Sequence, residues 1–196
     1  MAGDRESEGR RNRVVSALVQ HAKATFKENT CETRLVAPIS PSPEELIRTV
    51  FDDIGLSPQD TVLDLGCGDG RWLLAAALRG CTGRGLDLNE DLLQKGRRAA
   101  ADAGVASLIV LEKKDMFCES LAHSTVIILY LFREGLAEMK DKLEAGADHG
   151  ARVVSVGFQI RGWAPISTVE VGGLHAYIYR LPDHEALLGL GDGGGK

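Results

Sequence analysis

The hydrophobic positions of this chain alternate between short apolar runs and longer amphipathic stretches. Short runs with few polar residues predict strands, which are residues 61–65, 83–88, 107–111, 126–131 and 152–158. Stretches with apolar residues three or four positions apart predict the helices between them, which are residues 71–79, 91–103 and 134–143. Strands that alternate with helices predict a doubly wound α/β fold, in which five parallel strands form a sheet covered on both faces.

Both flanks of this run follow other patterns. Upstream, Ser42 is predicted as an N-cap, with Pro43 at the first helical position and Glu45 completing a capping box, so a helix is expected over residues 43–54. Downstream, Gly172-Gly173 separates two apolar runs and predicts a C-terminal antiparallel hairpin.

Three regions are expected along the chain. Residues 1–37 are predicted to form an N-terminal helix and linker, with the helix over residues 14–26. Residues 38–185 are predicted to form one domain, and residues 186–196 a flexible tail. Residues 10–27 are moderately basic and could contact an acidic partner, although a solvated helix is favoured.

Composition narrows the classes of function. The 196 residues are 44% hydrophobic, which is enough for one stable core. A net charge of −5 disfavours non-specific binding to nucleic acid, so no nucleic-acid partner is expected. No apolar run approaches the roughly 18 residues that a membrane span requires. The four cysteines show no C-x-x-C spacing and the five histidines no ligand spacing, so no metal site is predicted.

The expected location is a reducing intracellular compartment. Scattered cysteines do not suggest a disulfide framework, and acidic residues among the N-terminal arginines fit neither a secretory signal nor an organellar presequence well. The cytoplasm is therefore favoured, and the mitochondrion stays open. The sequence does not determine the oligomeric state.

The most informative block follows the first strand and reads Leu63-Asp64-Leu65-Gly66-Cys67-Gly68-Asp69-Gly70. Its G-x-G-x-G spacing differs from the G-x-G-x-x-G of dinucleotide folds. Asp64 and Asp69 would repel a pyrophosphate but attract a sulfonium and an α-ammonium group. The loop, which includes Cys67 as a small packing residue rather than a nucleophile, is therefore predicted to bind a cationic ligand.

The next two strand ends add to this site. Asp87 ends the second strand, where an acid can accept hydrogen bonds from both hydroxyls of an adenosine ribose. Asp115 follows the third strand and is expected beside an adenine, which Leu88 and Met116 would sandwich. Because the carboxyl ends of parallel strands share one edge of the sheet, the three acids are expected to open on one crevice.

These residues carry a family resemblance. The runs VLDLGCGDGRWLLAAA, GRGLDLNEDLL and KKDMF resemble the motifs with which class I methyltransferases bind S-adenosylmethionine (SAM). PISPSPEEL, STVIILYLF and ARVVSVGFQIRGWAP resemble segments of a narrower group. That group contains uncharacterised bacterial methyltransferases and the mitochondrial lysine methyltransferases of the adenine nucleotide translocase and the ATP synthase c-subunit. The resemblance covers about residues 38–181 and implies a Rossmann-like fold.

The resemblance also implies roles for individual residues. Gly66 and Gly68 would line the methionine end of SAM, and Asp64 would hold its ammonium group. Asp87 would take the ribose and Asp115 the adenine amine. Asp87 stands where the lysine-modifying members have glutamate, which is a departure from their pattern.

The same comparison bears on the methyl acceptor. Leu129-Tyr130-Leu131 stands where enzymes that methylate glutamine or adenine carry N/D-P-P-Y, so amide and exocyclic-amine acceptors are disfavoured. The expected reaction is N-methylation of a protein lysine. The alternatives are methylation of a small metabolite, SAM binding without turnover and, more distantly, dinucleotide oxidoreduction.

Two aromatic residues are candidates for the acceptor side. Tyr130 is the candidate catalytic residue because it could line a channel for the lysine amine, although its hydroxyl could equally lie in water. Trp163 could wall the acceptor site or pack in the core.

Overall fold

The computed structural model describes residues 40–148 and 150–181. In this part of the chain, seven strands form one sheet, and in chain order they are Thr61–Leu65 (β1), Thr82–Asp87 (β2), Ile109–Lys113 (β3), Val126–Leu129 (β4), Arg152–Val156 (β5), Ser167–Val171 (β6) and Leu174–Arg180 (β7). The strand order across the sheet is β3-β2-β1-β4-β5-β7-β6. β1 to β5 are parallel, and β7 lies antiparallel between β5 and β6. The predicted doubly wound sheet with a C-terminal hairpin is confirmed, and the hairpin extends the same sheet.

The longer helices of the described residues cover the sheet and are Glu44–Asp53 (α1), Arg71–Ala77 (α2), Glu90–Asp102 (α3) and Arg133–Gly146 (α4). Their predicted bounds differ from these by at most three residues at either end. The third strand begins at Ile109 rather than at residue 107, because Ala106–Leu108 forms a 3-10 turn. The fourth strand ends at Leu129, so Tyr130 lies in the loop that follows it.

The two faces of the sheet have separate cores. Val62 packs with Phe51 of α1 and Trp72 of α2 on one face, whereas Leu63 packs with Met139 of α4 on the other. Because side chains alternate along a strand, Asp64 faces the same side of β1 as Val62. The carboxylate of Asp64 therefore lies on the side covered by α1, α2 and α3.

The predicted capping box at α1 is wrong. Pro43 occupies the N-cap position, and no side chain caps the first turn. The Ser42 hydroxyl instead accepts a hydrogen bond from Trp72 Nε1 at 3.0 Å, and Ser42 is buried. The Ser42 hydroxyl therefore makes a tertiary contact with Trp72 instead of capping the helix.

A buried ion pair joins the elements at the amino edge of the sheet. Arg152 pairs with Asp60, which accepts a further hydrogen bond from the Thr125 hydroxyl at 2.7 Å. Arg152 also donates to the carbonyl of Ile54 at the end of α1. Burial opposes ionisation of Asp60, but hydrogen bonds from Thr125 and Ser57, together with the Arg152 charge, hold the pKa of this carboxyl below its usual value. The pair lies at the opposite edge from the strand ends predicted to bind a ligand.

Several predictions fall outside the described residues: the N-terminal helix over 14–26, the basic stretch over 10–27, the tail over 186–196 and both domain boundaries. No helix within residues 40–148 and 150–181 has the length and apolar character needed to cross a membrane.

Candidate active site

The loop after β1 turns tightly over the end of β2. Gly66, Gly68 and Gly70 have φ values of 84°, 55° and 70°, which are strained for residues with a side chain. The amides of Gly66 and Cys67 both donate to the carbonyl of Leu86 at 2.9 Å. A Cβ on Gly66 or Gly68 would lie 3.9 Å from its nearest neighbouring side chain, which is ordinary van der Waals contact, so no side chain crowds the backbone at these two glycines. The loop can therefore form a cradle for a ligand.

Asp64 lies at the base of this cradle. Its side chain is 3% exposed, and its Oδ2 atom has no hydrogen-bond partner among the described residues. Burial, followed by repulsion from Asp87 and Asp69, raises the pKa of this carboxyl to about 8. A buried carboxylate without a partner is costly, and a ligand cation would remove that cost. The site therefore fits a ligand with an ammonium group at this point.

Asp87 connects the loop to the next turn. Its Oδ2 accepts a hydrogen bond from the amide of Gly68 at 2.8 Å, and its Oδ1 accepts one from the amide of Asn89 at 2.8 Å. Each carboxylate oxygen keeps a second lone pair, so both can still accept a hydroxyl proton. The sequence predicted a ribose acceptor here but gave no sign that the same carboxylate also fixes the glycine loop.

The adenine-side candidates lie where β2 and β3 end. Asp115 accepts a hydrogen bond from the amide of Phe117 through Oδ1 at 2.9 Å. Met116 lies beside the loop, since its sulfur is 3.9 Å from the Cβ that a residue at Gly66 would have. Leu88 is 53% exposed, so its side chain is accessible to a flat apolar ring.

Cys67 and Asp69, which were also predicted to contact the cofactor, have partners inside the chain. Cys67 is buried, and its sulfur lies 2.7 Å from where a methyl group on Gly85 would be. Burial, followed by repulsion from Asp64, raises the pKa of the Cys67 thiol, which is therefore protonated at neutral pH. Asp69 forms a bidentate ion pair with Arg71, with distances of 2.9 Å and 2.6 Å. Asp64 and Asp87, in contrast to Asp69, have no Lys or Arg partner among the described residues, so their carboxyl groups remain available to a cationic ligand.

Tyr130 lies on the same side of the sheet as Asp64. Ile128 is the register partner of Asp64, and Tyr130 follows it by two residues. The Tyr130 ring packs against Gly157, where a Cβ would be 3.2 Å from Tyr130 Cε2, and Gly157 has a φ of 83°. Burial raises the pKa of Tyr130 to about 12. The hydroxyl is therefore protonated at neutral pH and can donate or accept a hydrogen bond, but it does not act as a phenolate base.

Trp163 packs on the face of the sheet that α4 covers, which is the opposite face from Asp64. Its indole nitrogen donates to Glu144 near the end of α4 at 2.8 Å, and its ring makes an edge contact with Tyr179 at 5.5 Å. Tyr179 is the register partner of Val153, close to the start of β5. Trp163 is half-buried against this core, and these contacts favour the packing alternative.

A further aromatic cluster, which the sequence did not predict, follows β4 and β5. Phe132 follows β4, Phe158 follows β5, and their ring centroids are 6.3 Å apart. The Arg133 guanidinium lies 5.1 Å from the centroid of the Phe158 ring. Their position after predicted strands is the signal in the sequence that could have identified them.

The sequence of this chain is similar to those of known methyltransferases. Residues 64–167 match the ANTKMT methyltransferase domain family. A protein-lysine N-methyltransferase of Saccharolobus islandicus is 31% identical over 154 residues, which are 76% of this chain and 96% of the relative. The mouse adenine nucleotide translocase lysine N-methyltransferase is 34% identical over 119 residues, and the match covers 60% of this chain and only 52% of that enzyme.

A solved structure of a methyltransferase is also similar to this chain. The crystal structure of an RNA methyltransferase from Salinibacter ruber in complex with S-adenosyl-L-homocysteine has a TM-score of 0.71 and 31% identity. The match covers 74% of this chain and 95% of that one. Since the family matches more than half of the chain and the Saccharolobus islandicus relative matches 76% of it, the chain belongs to the ANTKMT methyltransferase domain family and is a SAM-dependent methyltransferase.

Proposed function

We propose that this enzyme transfers the methyl group of SAM to the side-chain nitrogen of a lysine in another protein. The observation that carries the proposal is the 31% identity to a protein-lysine N-methyltransferase over 96% of that relative's length. The mouse relative that acts on the adenine nucleotide translocase favours the same acceptor, although the chain spans about half of its length.

The proposed cofactor site uses the strand ends described above. The unpartnered oxygen of Asp64 would hold the ammonium group, and Gly66 and Gly68 would line the methionine end. Asp87 would accept hydrogen bonds from the ribose hydroxyls through its free lone pairs. The adenine would lie against two apolar side chains, with its amine at Asp115; these side chains are Leu88 and Met116.

Bound SAM supplies a methyl group on a positively charged sulfur, so the chain needs no nucleophile of its own. Its task is to align the acceptor with the cofactor and to exclude water. Alignment of this kind can lower the activation barrier by several kcal/mol. Cys67 and Asp69 would contribute by shaping the loop, since both have partners within the chain.

Tyr130 would orient the acceptor. Its hydroxyl is protonated at neutral pH, so it can accept a hydrogen bond from an incoming amine and turn the nitrogen lone pair towards the methyl group. A lysine has a pKa near 10.4 in water and must lose a proton before it can react. Burial of the lysine amine beside Tyr130 would lower that pKa, and the proton would leave to solvent.

Incubation with SAM labelled in its methyl group identifies the acceptor directly. Lysate from the source cell is incubated with the enzyme and labelled SAM, and the products are treated separately with protease and ribonuclease before mass spectrometry. The proposal expects the label in protein and on lysine. The Asp87→Ala variant, prepared in the same way, controls for other methyltransferases in the lysate.

Other outcomes would identify other functions. Label that ribonuclease removes would favour RNA, which is the substrate class named in the Salinibacter ruber structure. Label confined to small molecules would favour a metabolite. SAM binding in calorimetry without formation of S-adenosylhomocysteine would favour a binding module.

A further inference from the structure

Arg71 joins the glycine loop to the segment that precedes α1. Its Nε and Nη2 atoms donate to the two carboxylate oxygens of Asp69, at 2.9 Å and 2.6 Å. Its Nη1 atom donates to the carbonyl of Ser42 at 3.0 Å. The next residue, Trp72, donates to the Ser42 hydroxyl. One guanidinium group therefore connects two segments that are 27 residues or more apart in the sequence.

The loop needs such a support because its glycine-rich backbone is conformationally flexible. Three of the five residues 66–70 are glycines with positive φ, and ordering glycines costs more conformational entropy than ordering other residues. α3 supports the loop from one side, since a Cβ on Gly96 would lie 2.6 Å from the carbonyl oxygen of Asp69. Arg71 supplies a second support through the side chain of the same aspartate.

We infer that Arg71 is a positioning residue for the cofactor, which holds loop 66–70 in its binding conformation by joining Asp69 to the carbonyl of Ser42. This inference rests on the proposed role of that loop in SAM binding. Arg71 acts through the backbone of the loop, so removing its bonds adds an ordering cost to each binding event. Such a cost weakens binding without changing any contact with the ligand.

Arg79, close to the other end of the same helix, provides a matched control. The side chains of Arg71 and Arg79 are 31% and 30% exposed. Arg79 also pairs with an aspartate, Asp52, at 2.8 Å and donates to a carbonyl of α1, that of Arg48. The two arginines make similar connections to the α1 region, but only Arg71 contacts the glycine loop.

The test compares Arg71→Lys with Arg79→Lys. Lysine keeps the charge but cannot make the bidentate contact with Asp69 and the bond to Ser42 together. Calorimetry with SAM is expected to show about tenfold weaker binding for Arg71→Lys and unchanged binding for Arg79→Lys. In turnover assays, Arg71→Lys should raise the KM for SAM and leave the KM for the acceptor unchanged.

A double-mutant cycle tests the proposed route through Asp69. Asp69→Asn alone should weaken SAM binding about as much as Arg71→Lys, and the double variant should bind no more weakly than either. Wild-type affinity in Arg71→Lys, an equal loss in Arg79→Lys, or additive losses in the double variant would each overturn the inference. Failure of the unmodified enzyme to bind SAM would instead overturn the cofactor site as a whole, so the two failures are distinguishable.

Discussion

Replacing Asp64 with asparagine is expected to stabilise the free enzyme and to impair its binding of SAM. Asp64 is 3% exposed, and its Oδ2 atom lacks a hydrogen-bond partner among the described residues. Burial and the neighbouring carboxylates raise its pKa from 3.8 to about 8. At pH 7 the unfolded chain ionises this group, whereas the folded enzyme keeps it protonated. Folding therefore carries a cost that a neutral amide avoids.

This free-energy cost of folding increases as the pH rises. Because the folded pKa is raised, the cost is absent below about pH 4 and grows as the pH rises towards 8. At pH 7 the difference spans about three pKa units at about 1.36 kcal/mol each, which gives an upper value of about 4 kcal/mol. For a chain of this size that corresponds to a rise of roughly 10 °C in Tm.

The assay is thermal unfolding of wild-type and Asp64→Asn enzymes without SAM at pH 4 and pH 7. The gain should be present at pH 7 and nearly absent at pH 4. Asp60→Asn is the matched control, since Asp60 is also buried but is paired with Arg152, and this variant should be destabilised. Lower stability of Asp64→Asn at pH 7, or a gain that does not depend on pH, would refute the reasoning.

The same carboxyl group makes SAM binding depend on pH. Only the ionised form of Asp64 can pair with an ammonium group, so SAM binding must release a proton when the pH lies below about 8. The affinity of the wild-type enzyme is therefore expected to rise about tenfold between pH 6 and pH 7. Calorimetry in buffers with different ionisation enthalpies measures the released proton. Equal affinities at the two pH values would contradict the assignment.

Three further substitutions, one of them with a matched control, test other parts of the site and its support. Asp87→Ala should leave the fold intact and weaken SAM binding by at least about tenfold, because it removes the acceptor for the Gly68 amide as well as a charged partner for the ribose; unchanged affinity in calorimetry would exclude the ribose assignment. Gly96→Ala should lower the free energy of unfolding by about 1–3 kcal/mol in chemical denaturation, because its Cβ would lie 2.6 Å from the Asp69 carbonyl oxygen. The control, Gly146→Ala on α4, should not be destabilising, because its Cβ would have no atom within 4 Å. Tyr130→Phe keeps the ring contact with Gly157 but should lower kcat about tenfold in a methyl-transfer assay with unchanged KM for SAM; an unchanged kcat would leave the tyrosine with a packing role.

The sequence predicted the sheet well because its strands carry strong local signals. Residues 61–65 and 126–129 are runs of apolar and β-branched side chains that end at glycine or at a loop, and the structure has strands at both. Parallel connections then bring the ends of β1, β2 and β3 to one edge, so Asp64, Asp87 and Asp115 could be grouped before any coordinates were known.

Tertiary partners could not be predicted in the same way. Ser42 has the local pattern of a helix cap, but Trp72, 30 residues away, takes its hydroxyl. Asp69 was expected to attract a ligand, but Arg71 pairs with it, and no periodicity in the sequence distinguishes these two outcomes. The second role of Asp87, as an acceptor for the Gly68 amide, likewise depends on how the loop folds over β2.

The central claim is that the acids at the carboxyl edge of the sheet hold SAM, and a crystal structure of the enzyme with S-adenosylhomocysteine tests it most directly. The account predicts the amino group of the ligand at Asp64, the ribose hydroxyls at Asp87, and the adenine between Leu88 and Met116. Electron density that places the amino group away from Asp64, or the ribose away from Asp87, would contradict it.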